Sequence, residues 1–166
     1  MKFLTINQTV EWCRLNGFPT DQENLNLRNS LAFGIADGPK YNDYGRTTAF
    51  IRRMMTEMFS KSELVLWVHN TEVWPSSGHM PLYTRWRLGL GNKNSIHTQP
   101  GHLCLRGEAD DATALLLMSI FFYWDCHLFN PEKGYVFFTS HDEYAEFYYQ
   151  TEADAALFES LKFIRN

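Results

Sequence analysis

The chain has 166 residues, of which 45% are hydrophobic and 20% charged, which is the balance of an ordinary globular domain. Its 15 basic and 19 acidic residues give a formal charge of −4, so no strong positive field is present and nucleic acid is not an expected partner. The longest apolar run, 114–124, is about half of the ~20 residues that cross a bilayer, so we expect no membrane span.

The cysteines and the N-terminus indicate a reducing compartment. Cys13, Cys104 and Cys126 fit neither a disulfide framework nor a paired Cys-x-x-Cys zinc motif. The first residues contain no apolar stretch of a secretory signal. We therefore expect reduced thiols in a cytoplasmic protein. The sequence also contains no glycine-rich phosphate loop, nucleophile elbow or zinc-enzyme motif, and we expect neither a cofactor nor a metal.

Hydrophobic patterns predict helices and strands in alternation. Thr5-x-x-Gln8 is typical of a capping box and opens a short first helix, while residues 47–59 repeat apolar positions at helical spacing. Further helices are predicted over 81–90, 110–129 and 140–164, the last opening on a second capping box, Ser140-x-x-Glu143. Short apolar runs predict strands over 31–36, 64–68, 102–106 and 135–138.

This order of elements predicts an α/β fold. We expect one three-layer domain over residues 1–166, with mainly alternating strands and helices around a central four-stranded sheet, parallel or mixed.

Aromatic and basic side chains make the segment 74–87 the most distinctive part of the sequence. Rings and planar guanidinium groups are typical of recognition surfaces. The candidate partner- or ligand-binding residues are Trp74, His79, Tyr83, Arg85, Trp86 and Arg87. Alternatively, Trp74 and Tyr83 close one end of the sheet and Arg85 pairs with a carboxylate near the core.

A second candidate site follows from the predicted parallel strands, whose carboxyl ends would meet in one crevice. The residues at those ends are Asp37, His69, His141 and Asp142. Histidine beside a carboxylate suits general acid–base chemistry. As an alternative, Asp142 only stabilises the first turn of the predicted last helix.

Asp125 and His127 lie at the end of the predicted helix over 110–129. A charge in such an apolar segment is costly unless it is paired, and Arg85 or Arg87 is a candidate partner. Otherwise the helix simply reaches solvent there.

Several short motifs in the C-terminal two thirds of the chain together resemble a bacterial protein family with no established activity. The motifs are Trp74-Pro75-Ser76-Ser77, Leu82-Tyr83-x-Arg85-x-Arg87, Pro100-Gly101-His102-Leu103 and Ser140-His141-Asp142-Glu143-Tyr144. The resemblance implies only that Trp74, Pro75, Ser76, Tyr83 and Arg85 belong to a shared pattern, for packing or for binding.

Two functions are therefore expected from the sequence. The first is a non-enzymatic protein-interaction module, such as an immunity or inhibitor protein for a bacterial toxin or a small regulatory partner, with another protein as its ligand. The second is a small enzyme or ligand-binding protein that uses the His/Asp crevice at the strand ends. A role in a larger assembly is a third reading, and the sequence does not indicate an oligomeric state.

Overall fold

A computed structural model describes residues 1–20, 30–34, 44–71 and 76–162. Within these ranges the strands are β1 (Lys2–Leu4), β2 (Ser30–Gly34), β3 (Leu64–His69), β4 (Gly101–Cys104), β5 (Asp125–Asn130), β6 (Tyr135–Thr139) and β7 (Tyr144–Tyr148). The helices are α1 (Ile6–Leu15), α2 (Tyr44–Met54), α3 (Met80–Gly89), α4 (Ala109–Phe121) and α5 (Glu152–Lys162). A π-helical turn (Met55–Phe59) continues α2, and a 3₁₀ turn (Ser76–His79) leads into α3.

The strands form one seven-stranded sheet in the order β1-β4-β3-β5-β6-β7-β2, and each neighbouring pair is antiparallel. The predicted four-stranded parallel or mixed sheet within a three-layer domain is therefore wrong. The chain is a mixed α and β protein, but its sheet is larger than predicted and has no parallel pair among the described strands.

The largest error concerns the predicted helix over 110–129. Helix α4 ends at Phe121, and Tyr123 takes a left-handed backbone conformation with φ of 56°. This turn reverses the chain, so Asp125–Asn130 forms β5 between β3 and β6. An apolar run of this kind is compatible with either a buried helix or a buried strand, because neither shows a polar face.

The predicted capping box at Ser140 and Glu143 is a hairpin turn instead of a helix start. Glu143 has φ of 63°, its amide donates to the Ser140 carbonyl, and β7 follows directly. The spacing of Tyr144, Phe147 and Tyr148 also fits a helix, so this pattern does not distinguish a helix from the strand that is present. In the strand, Ala145 and Phe147 point to the core by simple alternation.

By contrast, the first capping box is confirmed, since the Thr5 hydroxyl accepts from the Gln8 amide while the Gln8 side chain accepts from the Thr5 amide. The predicted helix over 47–59 is present as α2 with its π turn. The predicted strand over 31–36 corresponds to β2, and residues 35 and 36 lie outside the described part of the chain.

The two faces of the sheet carry different cores. One face, called here the helical face, packs the apolar sides of α2, α3, α4 and α5 against alternate sheet residues such as Leu66 and Leu128. On the opposite face, α1 packs Cys13 against a smaller cluster that includes Trp67 and Phe129. Strand β3 is apolar on both sides, and its first five residues are buried because it lies in the middle of the sheet. Within the described residues, no helix has the length and apolarity that crossing a membrane requires.

Helix α1 approaches the sheet closely at a glycine. A Cβ atom at Gly101 would lie 2.1 Å from the Thr9 hydroxyl oxygen and 3.0 Å from the Leu4 Cβ. We expect Gly101→Ala to lower the free energy of unfolding by about 2 kcal/mol, because α1 must move away from β4. Gly89→Ala is the matched control: nothing lies within 4 Å of a Cβ there, and alanine favours the helix by up to ~1 kcal/mol. Urea unfolding measures both; equal stability of Gly101→Ala and the wild type would contradict the packing described.

Candidate functional site

Helix α3 turns two of the predicted binding residues into the core. Tyr83 and Arg87, one helical turn apart, are 0% and 1% exposed. The Tyr83 hydroxyl contacts Nε2 of His102 on β4, and Arg87 Nη1 donates to the Tyr83 oxygen at 3.2 Å and to the Gln99 carbonyl at 2.9 Å. Neither residue is available on this surface to a macromolecular partner.

The remaining residues of that segment are placed differently. Arg85 is exposed, Trp86 is partly buried beside Tyr83, and exposed His79 stacks on Phe122 at 4.5 Å between ring centres. Trp74 lies outside the described residues, as does Pro75. The outer side of α3 therefore presents Arg85 together with Leu82 and Leu88, which are 59% and 48% exposed.

Antiparallel pairing gathers a different set of residues at the strand ends. His69, the last residue of β3, lies directly opposite Asp125, the first residue of β5. His141 follows the end of β6. The last residue of β6, Thr139, pairs with Cys126, which is next to Asp125 in β5. The predicted residues His69, His141 and Asp142 thus meet around Asp125, while Asp37 lies outside the described residues. We call His69, Asn70, Asp125, His127, His141 and Asp142 the strand-end cluster.

The buried carboxylate of Asp125 organises this cluster. Its Oδ1 accepts hydrogen bonds from the backbone amide of His141 at 2.7 Å and from the Nδ1 of the same residue at 2.8 Å. Its Oδ2 accepts from the Asn70 side-chain amide at 2.5 Å and lies 3.9 Å from Nδ1 of His69. The expected partners Arg85 and Arg87 do not contribute, because Arg87 packs on the helical face and Asp125 projects from the opposite one.

His127 extends the cluster inward. Its Nδ1 lies 2.9 Å from Nε2 of His69, and its ring stacks on Phe138 with 4.4 Å between centres. Burial lowers the pKa of His127 well below the ordinary value, and a charge on His69 would lower it further. Burial also lowers the pKa of His69, although Asp125 opposes this shift. Because the two rings share one hydrogen bond, they cannot both be protonated without a clash of protons.

Backbone strain surrounds the same cluster. Among the described residues, the non-glycine positions with positive φ are Asn70, Tyr123 and Glu143, at 50°, 56° and 63°. Asn70 donates to Asp125, and the other two lie two residues from Asp125 and His141. Such conformations are uncommon and persist where surrounding contacts impose them. They fix the positions of the Asn70 amide, the Asp125 carboxylate and the His141 imidazole relative to one another.

The arrangement suits proton transfer at His141. A carboxylate that accepts from Nδ1–H holds an imidazole in one orientation and leaves Nε2 as the free base. The side chain of His141 is 28% exposed and that of Asp125 only 6%, so the base reaches solvent while its orienting group does not. Asp142 Oδ1 lies 3.6 Å from Nε2. No set of side chains suitable for a metal ion occurs among the described residues.

The sequence contains a signal that Asp125 and His127 lie in a strand, although the surrounding apolar run predicts that they lie at the end of a helix. A polar Asp-x-His pair with period two inside an apolar segment is a strand signal, since it places both side chains on one face. The three cysteines are buried, and burial raises the pKa of each thiol to about 12, so they are poor nucleophiles.

Folding stability is expected to fall as the pH drops below about 6.5, the ordinary pKa of histidine. His127 is held neutral in the folded chain because burial lowers its pKa well below the ordinary value, and burial lowers the pKa of His102 to about 3. The unfolded chain takes up these protons first, so each such histidine removes about 1.4 kcal/mol per pH unit below that value. Urea unfolding between about pH 7.5 and 5.5 measures the slope. His127→Phe should reduce this slope by the contribution of one histidine, about 1.4 kcal/mol per pH unit. An unchanged slope would contradict the conclusion that His127 is neutral in the folded chain.

Comparison of the chain with protein-family models, curated proteins and solved structures gave no match. The resemblance to a bacterial family stays a prediction.

Proposed function

We propose that the chain is a small enzyme or ligand-binding protein whose strand-end cluster exchanges a proton with a bound small molecule. The observation that carries this proposal is the 2.8 Å contact between buried Asp125 and Nδ1 of partly exposed His141. In this role His141 Nε2 is the acid or base, and Asp125 is a positioning residue.

The charges around His141 suggest which molecules it accepts. Asp125 and Asp142 both lie within 4 Å of its ring nitrogens, and the salt bridges of the described residues bring no lysine or arginine to it. An anionic substrate would be repelled at this edge of the sheet. The proposed substrate is therefore neutral or cationic, and the proton that His141 takes comes from the substrate or from a water molecule that attacks it.

We also propose that the protein works in a reducing compartment. Cys13, Cys104 and Cys126 are unpaired and buried, which suits the cytoplasm.

Hydrolysis of a neutral activated ester, p-nitrophenyl acetate, tests whether His141 acts as a base. Nε2 would take a proton from the water that attacks the ester carbonyl, and p-nitrophenolate would leave as acetate forms. The described contacts predict that His141→Gln lowers the rate by roughly a hundredfold, in line with the usual contribution of a positioned base. Asp125→Asn should lower the rate and change its pH profile, because the orientation of the imidazole is lost. His97→Gln, at an exposed histidine outside the cluster, is the control. The proposal fails if wild type and His141→Gln hydrolyse the ester equally fast while both remain folded.

A second candidate function is protein interaction, as an immunity or inhibitor protein of a toxin or as a regulatory partner. Its support is the outer side of α3, where exposed Leu82, Arg85 and Leu88 follow one another at three-residue spacing. No aspartate or glutamate occurs between Glu72 and Glu108, although the whole chain is acidic. An acidic partner with an apolar anchor fits such a surface.

For this second candidate, the measurement is retention of an acidic protein from the native lysate at low and moderate salt. Leu82→Glu should weaken retention by roughly thirtyfold, since a charged side chain would face the partner's apolar anchor. Leu157→Glu, at a leucine 40% exposed on α5, is the matched control. Loss of the partner from both variants alike, or from neither, would remove α3 as the binding surface.

A further inference from the structure

The guanidinium group of Arg87 is a buried cation with one unused edge. The side chain is 1% exposed, and its Nη1 is occupied by the Tyr83 oxygen and the Gln99 carbonyl. Its Nε and Nη2 are buried and have no hydrogen-bond partner among the described residues. These two nitrogens are the donors that bind an oxyanion side-on, with two parallel hydrogen bonds.

Aromatic rings account for the faces of the guanidinium but not for this edge. Its central carbon lies 4.5 Å from the centre of the Phe3 ring and 5.6 Å from that of the Tyr83 ring. Cation–π contacts of this kind stabilise the charge without satisfying any N–H group. Two buried donors left unpaired on a charged group are costly, and a partner that accepts from both would remove the cost.

Neighbouring charges also favour an anion at this place. The salt bridges of the described residues give Arg87 no carboxylate partner, and the sequence contains no acidic residue between Glu72 and Glu108. The positive charge of Arg87 helps to hold His102 neutral, after the larger effect of burial. A cation in a low-dielectric environment attracts a small anion much more strongly than an exposed one does.

We propose that Arg87 binds an oxyanion, a carboxylate or a phosphate group, through Nε and Nη2. Tyr83 and Gln99 act as positioning residues that hold Nη1 and so aim the free edge. Phe3, on the three-residue edge strand β1, lies against one face of the guanidinium and leaves the Nε and Nη2 donors unused. The site lies on the helical face, away from the strand-end cluster, and does not depend on the proposed acid–base function.

Titration with inorganic phosphate, sulfate and acetate, at constant ionic strength set with chloride, tests this inference. The melting temperature should rise and saturate with one of these oxyanions, because a ligand of the folded state stabilises it. Arg87→Lys should weaken this binding about tenfold, since lysine keeps the charge but loses the side-on pair of donors. Arg85→Lys, at an exposed arginine on the same helix, should leave it unchanged.

The wild type provides a second measurement that does not depend on a stable variant. The Nε–H proton signal of Arg87 in NMR should move downfield during the titration if this group donates to the anion. An Nε–H signal that stays fixed, or a thermal shift that Arg85→Lys abolishes and Arg87→Lys does not, overturns the proposal. A free phosphate site and a site for a ligand's carboxylate are distinguished by whether phosphate or acetate saturates first.

Discussion

The pairing of β3 with β5 in the middle of the sheet is the constraint on which the strand-end cluster depends. Five consecutive residue pairs, from Val65 with Phe129 to His69 with Asp125, set the register. Cys126 and Leu128 then face the helices while Asp125 and His127 face the other way. A slip of one residue would exchange these two sets, burying a carboxylate among the apolar side chains of α4. The left-handed turn at Tyr123 makes this register possible, because it reverses the chain immediately after α4.

How far the fold could be predicted depended on how distinctive each local pattern was. The amphipathic pattern of α2 and the capping box of α1 are both present. The same kind of pattern at Ser140 and Glu143 belongs to a hairpin turn, so a capping box alone does not determine a helix start. The apolar run through α4 and β5 contains no glycine or proline that would mark its break, so one helix was the natural interpretation. Strand β1 has only three residues, too few for alternation to be seen. Because helices separate the predicted strands, the sequence predicts a parallel or mixed sheet, whereas every neighbouring pair among the described strands is antiparallel.

The strand-end cluster brings together two histidines that the sequence predicts to lie close to each other, although the parallel topology behind that prediction is wrong. Parallel strands were expected to bring His69 and His141 together at their carboxyl ends. In the antiparallel sheet the end of β3 instead meets the start of β5, and the residue there is Asp125. Sequence reasoning therefore found the outer histidines and missed the carboxylate that joins them, because β5 had been assigned to a helix. Arg87 was noticed for its chemistry, but its burial follows from helical phase and the packing of α3 on β4, which composition does not reveal.

The sheet separates the carboxylate of Asp125 from the guanidinium of Arg87, and this separation determines which groups each of them contacts. Asp125 is surrounded by donors, three of which hold its two oxygens, and it shares its face with His69 and His127. Arg87 lies across the sheet, among aromatic rings and carbonyl or hydroxyl oxygens. A direct ion pair between them would satisfy both groups within the chain and leave neither able to act on a ligand. Because the sheet prevents that pair, the carboxylate is free to orient an imidazole, and the guanidinium keeps two donors for an anion from outside the chain.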